Sequence, residues 1–216
     1  MLWNEFHALG TGREMCYNTI MKKVTLCAVA TAGALEREEE ILAKMPAPRR
    51  ERYEAVNNPE TRAQLLAAAA ALNGALGEPP AEFFYYPDGR PGVPGAWVSI
   101  AHTKGMAVCA VCGAEVGVDI EYEGRLLRNA LARKILAPGE AAEGGLLDKW
   151  VDKEAYLKLT GQGLPGGMDS FRVMGDGAWD LNGRLLARYV RPRLEGYRLS
   201  VCCKEEFMVE MIRRPL

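Results

Sequence analysis

From position 24 to 30 the chain is almost wholly apolar, Val24, Leu26, Ala28 and Ala30 alternating with Thr25, Cys27 and Val29, which predicts a buried strand. Read from Met21, the same stretch imitates a secretory signal, with two lysines, a short apolar run and small residues at its end. The alternation, and the acidic helix predicted directly after it over 35–45, favour the strand. Pro46 and Pro48 then break the chain before a basic stretch holding Arg49, Arg50 and Arg52. Asn58, Pro59 and Glu60 open a long Ala/Leu-rich helix reaching Leu76, with Asn58 as cap and Pro59 in its first turn. The proline- and glycine-rich run 87–95 reads as a loop, and the alternating stretches 96–101, 106–112 and 116–121 as three strands of a β-meander. A helix over 125–136, a Pro138-Gly139 break and a helix from Leu146 to Thr160 stopped by Gly161 follow. Strands at 171–174 and 197–203, with an extended stretch 178–191 between them, close the chain.

Each half therefore lays helices on a small sheet, and the strand texts M-A-V-C-A-V-C and R-L-S-V-C-C look alike. The expected class is α+β, two similar α/β halves forming a pseudo-dimer: 21–113 and 114–216, with a seam near 113–117 and an N-terminal extension over 1–20. A length of 216 residues suits one domain or two small halves, and 49% hydrophobic with 25% charged residues is an ordinary globular composition. No apolar run approaches the roughly 18 residues needed to span a bilayer, so no membrane partner is expected. Lys plus Arg number 27 against 28 Asp plus Glu, so no global basic field points to nucleic acid, and any anion site must be local.

Scarcity prunes the chemistry. Two histidines, His7 and His102, exclude multi-His metal centres, and none of the three serines, Ser99, Ser170 and Ser200, sits in a G-x-S-x-G elbow. Six cysteines are too few for a disulfide scaffold and lie mostly in apolar runs, which suits a reducing, cytoplasmic setting. Cys109, Cys112, Cys202 and Cys203 do not make a zinc site, because within each pair the side chains face opposite sides of a strand. Gly161-Gln-Gly-Leu-Pro-Gly166 fits G-x-G-x-x-G but follows a helix, where a dinucleotide fingerprint must open one.

Asp119 and Glu121, two apart on a strand, project from one face. They are either a solvated pair at a strand end or ligands for a hard cation such as Mg²⁺. On the helix Leu146 to Thr160 the inward stripe runs Leu147, Trp150, Val151, Glu154, Ala155 and Lys158. Glu154 and Lys158 are either an i, i+4 ion pair or a third metal ligand with an ammonium facing a phosphate. His102 ends its strand on the side of Val98 and Ile100, as a structural histidine or as an anion donor.

Three blocks, Val98-Ser-Ile-Ala-His-Thr103, Val116-Gly-Val-Asp-Ile-Glu121 and Trp150-Val-Asp-Lys-Glu-Ala-Tyr-Leu-Lys158 with Gly161-Gln-Gly-Leu164, resemble in order and spacing the signatures of the 4′-phosphopantetheinyl transferase superfamily. The resemblance covers about 22–208, and the length and two-half layout are similar to the monomeric, surfactin-synthetase-activating type. It implies transfer of the 4′-phosphopantetheine arm of coenzyme A to a serine of an apo acyl or peptidyl carrier protein, releasing 3′,5′-ADP. By position it implies that Asp119, Glu121 and Glu154 hold Mg²⁺, or Mn²⁺, on the CoA pyrophosphate, with Glu154 also the base. Lys158 then faces the leaving phosphate, and His102 contacts a CoA phosphate. Arg49 and Arg52 meet the 3′-phosphate, and Gly89, Arg90 and Pro91 line the adenine pocket, with Arg90 in place of the commoner Lys. Gln64 stands where a hydroxyl residue is frequent, with Arg62 as the nearby substitute. The glycine-rich segment 136–147 lacks the aromatic pair expected there, which motivates an alternative, a non-catalytic CoA- or carrier-binding module. A metal-dependent phosphohydrolase using the same carboxylates is a third reading.

Overall fold

The computed structural model describes residues 21–163 and 167–216; the extension 1–20 and part of the 161–166 glycine run lie outside the described residues. Strand β1 (Lys22–Ala30) reads as a continuous apolar run because both its faces are covered. Val24, Leu26 and Ala28 enter a core lying between two sheets, whereas Cys27 and Val29 face a helix. Helix α1 (Glu38–Ala43) is shorter than expected, and α2 (Ala47–Glu54) replaces the anticipated break. Pro48 sits in the first turn of α2, where a missing N–H costs nothing, so proline starts this helix rather than excluding it. Helix α3 (Pro59–Leu76) matches the reading: the Asn58 side chain accepts from the Thr61 amide at 2.9 Å, and Gly77 ends it at φ +88°. Its alanines let it lie close on the sheet.

Strands β2 (Phe84–Tyr85), β3 (Pro91–Val93), β4 (Ala96–Thr103) and β5 (Met106–Cys112) follow, so the loop 87–95 contains a short strand. The six-stranded sheet has the order β11-β1-β5-β4-β3-β2. Its edge strand β11 (Phe207–Arg214) lies parallel to β1 and escaped the sequence reading, its charged residues hiding a partly exposed edge.

The expected meander stops after two strands. Strand β6 (Val116–Tyr122) pairs instead with β10 (Tyr197–Cys203), in a five-stranded sheet ordered β6-β10-β9-β8-β7. Val118 and Ile120 enter the core between the sheets, and Gly117 packs on helix α5 (Leu146–Thr160) so closely that a Cβ there would collide with the Ala155 carbonyl. Along the seam β6 lies beside β4 through hydroxyls rather than a ladder: Val118 N–H donates to Ser99 Oγ at 3.0 Å, and Tyr122 N–H to Thr103 Oγ1 at 3.3 Å. The helix expected over 125–136 contracts to a 3₁₀ turn and a single helical turn, α4 (Ala132–Ile135). Strands β7 (Phe171–Met174), β8 (Gly177–Asp180) and β9 (Leu185–Val190) complete the second sheet, with α5 on its outer face.

Among the described residues five cysteines are free and buried, and they enter different cores: Cys27 and Cys109 under α3, Cys202 under α5, Cys112 and Cys203 between the sheets. No helix among the described residues is long and apolar enough to cross a membrane.

Candidate functional site

Where α2, β4 and α5 converge, they leave a cavity of about 430 Å³. Val98, Ile100 and His102, alternate residues of β4, form one wall. Glu154, Leu157 and Lys158, one face of α5, form another, and Arg49 and Arg52 reach in from α2. Gly89, Arg90 and Pro91 of the loop, with Gly161, Gln162 and Gly163 beyond α5, line the rest. Eight positions singled out in the sequence, scattered over more than a hundred residues, thus face one space.

Its charge is lopsided. Among the described residues neither Arg49 nor Arg52 has a carboxylate partner; the Arg52 guanidinium lies 3.7 Å from the Tyr85 ring centroid, and Arg49 is 6.0 Å from that of Phe83. Arg49 Nε is buried without a hydrogen bond, and desolvation holds this guanidinium below its ordinary pKa. His102 stands at the mouth; partial desolvation first, then the charges of Lys158 and Arg49, lower its pKa and favour the neutral imidazole. Cations that are held without counter-charges suit a polyanionic ligand.

The carboxylates behind this wall do not all meet. Lys158 Nζ donates to Asp119 Oδ1 at 2.6 Å, so the ammonium pairs across to β6 rather than with Glu154. Asp119 Oδ2 is buried with no partner, and burial raises this carboxyl's pKa despite the lysine. Burial also raises that of Glu154, and the neighbouring Asp119 charge adds to the effect. An orphaned carboxylate oxygen near a second carboxylate whose charge burial disfavours is a fitting donor set for a hard divalent cation. Glu121 stands apart: the Thr103 hydroxyl donates to Oε2 at 2.8 Å, and Arg125 pairs with Oε1. Among the described residues no group of three His, Cys, Asp or Glu is gathered around one point.

Two assignments shift. Arg62 does not face the cavity, because Glu38 holds it at 2.7 Å and its guanidinium lies 4.1 Å from the Tyr53 ring centroid. Gln64 lines a second hollow with Thr103, Lys104 and Glu121, which shares His102 with the cavity. Sequence reasoning missed Tyr85, although the aromatic run Phe83 to Tyr86 before a Pro/Gly turn was a usable signal. It also missed the support of α5. Lys153 is fully buried and donates to Glu140 at 2.5 Å and to the carbonyls of Met168 and Phe171, each at 2.7 Å. Glu140 in turn accepts from the amides of Ala137 and Val173, so the glycine-rich 136–147 segment is pinned to α5.

No protein-family profile matches the chain. It is 33% identical over 97 residues, 39% of this chain and 41% of the other, to the 4′-phosphopantetheinyl transferase psf-1 of Bacillus pumilus. The chain thus spans about two-fifths of the length of the curated relative it matches. The name of that relative gives the superfamily and the general transferase class and singles out no type within it.

Proposed function

We propose that this chain transfers the 4′-phosphopantetheine arm of coenzyme A to a serine of an apo acyl or peptidyl carrier protein and releases 3′,5′-ADP. The observation that carries the reading is the cavity in which Arg49, Arg52, His102 and Lys158 converge beside Glu154 and the orphaned Asp119 oxygen. The partial match to a phosphopantetheinyl transferase supports it. So does the absence of a serine elbow, since the nucleophile in this reaction belongs to the partner.

In this reading Arg49 and Arg52 bind the 3′-phosphate, Gly89 and Pro91 flank the adenine, and His102 and Lys158 meet the pyrophosphate. The acceptor serine enters from the hollow beside Gln64 and Glu121. Its oxygen attacks the phosphorus bearing pantetheine, the bond to the adenosine-side phosphate breaks, and the serine proton passes to Glu154, the carboxylate that lines the cavity. Lys158, already held by Asp119, neutralises the leaving phosphate. Asp119 and Glu154 would hold Mg²⁺, or Mn²⁺, joined by Glu121 on turning from Arg125; a bound divalent ion supplies charge neutralisation on the pyrophosphate. The rest of the catalysis is positioning.

The same reading takes the molecule as a monomer of two related halves, the surfactin-synthetase-activating type, acting in the cytoplasm. The parallel between α3 on the first sheet and α5 on the second supports that layout. At the hollow Lys104 and the exposed Arg125, followed in the chain by Leu126 at 94% exposure, offer a basic and apolar landing for an acidic protein.

Calorimetric titration tests the ligand. Arg49→Ala and Arg52→Ala should each weaken CoA binding about tenfold to a hundredfold and leave 3′-dephospho-CoA unaffected. Equal losses for both ligands would remove these arginines from the 3′-phosphate.

A further inference from the structure

Resemblance places Arg90 against the adenine, yet its Nε and Nη1 donors are already engaged within the protein. Nε donates to Asp88 Oδ2 at 2.8 Å, and Nη1 donates to Glu115 Oε1 at 3.0 Å and to the Leu159 carbonyl at 2.8 Å. Its guanidinium carbon also lies 4.9 Å from the Trp97 ring centroid, with that ring stacked on Tyr86 at 4.9 Å. Its side chain is 18% exposed. These partners come from separate parts of the fold: the loop itself, the turn between β5 and β6, the last turn of α5, and β4. Glu115 is tied further to Lys204 at the end of β10.

The Leu159 carbonyl is one of the groups a helix leaves without an internal partner in its last turn. Arg90 supplies that partner, so it caps α5 from outside. The fit is close: Gly161, at φ +70°, ends the helix, and a Cβ there would collide with Asp88 Oδ2. Lys158 immediately precedes the capped residue, and Glu154 lies one turn before it. A planar fork can hold three directions at once, which a lysine ammonium on a more flexible stem does less well.

We propose that Arg90 is a positioning residue, a clamp that fixes the loop wall of the cavity against the end of α5 and thereby sets where Glu154 and Lys158 stand relative to a ligand. Its catalytic consequence rests on the reading under Proposed function; the clamp itself does not.

The test is hydrogen exchange of the full chain without ligand, for Arg90→Ala, Arg90→Lys and Glu115→Ala, coupled to transfer kinetics with CoA. The clamp predicts exchange about tenfold faster over 157–163 and 86–91 in Arg90→Ala, with β1 and β5 unchanged. A smaller change is expected in Glu115→Ala, whose ion-pair partners are Arg90 and Lys204, and partial rescue in Arg90→Lys. It also predicts that kcat at saturating CoA falls about tenfold in Arg90→Ala. Unchanged exchange in both alanine variants, or a defect confined to KM for CoA with kcat intact, would overturn it. If Arg90→Ala fails to fold, Glu115→Ala decides alone by the same exchange criterion. A wild-type chain that transfers nothing would count against the proposed function, and exchange would still decide the clamp.

Discussion

Replacing Glu154 with glutamine is expected to slow phosphopantetheine transfer by about 10²–10⁴-fold while CoA still binds. The side chain lines the cavity half-buried, where burial first and then the charge of Asp119 raise its carboxyl's pKa. Glutamine keeps the shape and removes the proton acceptor. It also removes one of two mutually repelling carboxylates, so the variant should melt no lower than the parent chain. Steady-state rates on a carrier substrate, with melting curves beside them, check both parts. An unchanged rate would take the base role away from Glu154, and a large loss of stability would mean that the residue holds the fold.

The opposite pattern is expected one residue earlier. Lys153→Ala should destabilise the chain by about 3–5 kcal/mol, because it strips a buried carboxylate of its closest cation. For a chain of this size that is on the order of 10 °C in melting temperature. The Lys153 side chain is 0% exposed and that of Glu140 1%, so solvent does little to screen the loss, and Lys149 remains only at 3.7 Å from Glu140. Two carbonyls, of Met168 and Phe171, lose their donor as well. Assayed well below its transition, the folded variant should keep a kcat near that of the parent, since Lys153 points away from the cavity. Thermal denaturation and cold assays separate the two effects. Normal stability would contradict the buried network, and a lost kcat in a folded sample would bring Lys153 into the site.

This pair of neighbours shows where a sequence speaks and where it stays silent. Helix α5 was legible residue by residue, since its apolar spacing and Gly161 stop are local signals. The same stripe gave Glu154 and Lys158 their facing. It could not tell that the remaining side of the helix is also buried, because Lys149, Asp152 and Lys153 read as a solvated face until their partners 13 to 39 residues away are known. Strand β6 was legible as a strand, whereas its sheet was not: alternation fixes which residues share a face and says nothing of which neighbour pairs. The clue was Gly117, whose missing side chain admits α5. The site positions emerged from three spaced blocks, but Glu121 met Thr103 and Arg125 rather than the other carboxylates, a choice made by the seam between the sheets.

The central claim is the transfer itself, and intact-protein mass spectrometry reads it directly. A panel of apo carrier proteins is incubated with this chain, CoA and Mg²⁺, with an EDTA control and a control lacking any carrier. The account predicts that at least one carrier gains the mass of a single phosphopantetheine, that 3′,5′-ADP appears with it, and that EDTA abolishes both. Carriers of unchanged mass beside bound, intact CoA would contradict it in favour of a binding module, and CoA cleaved in the absence of any carrier would contradict it in favour of a hydrolase.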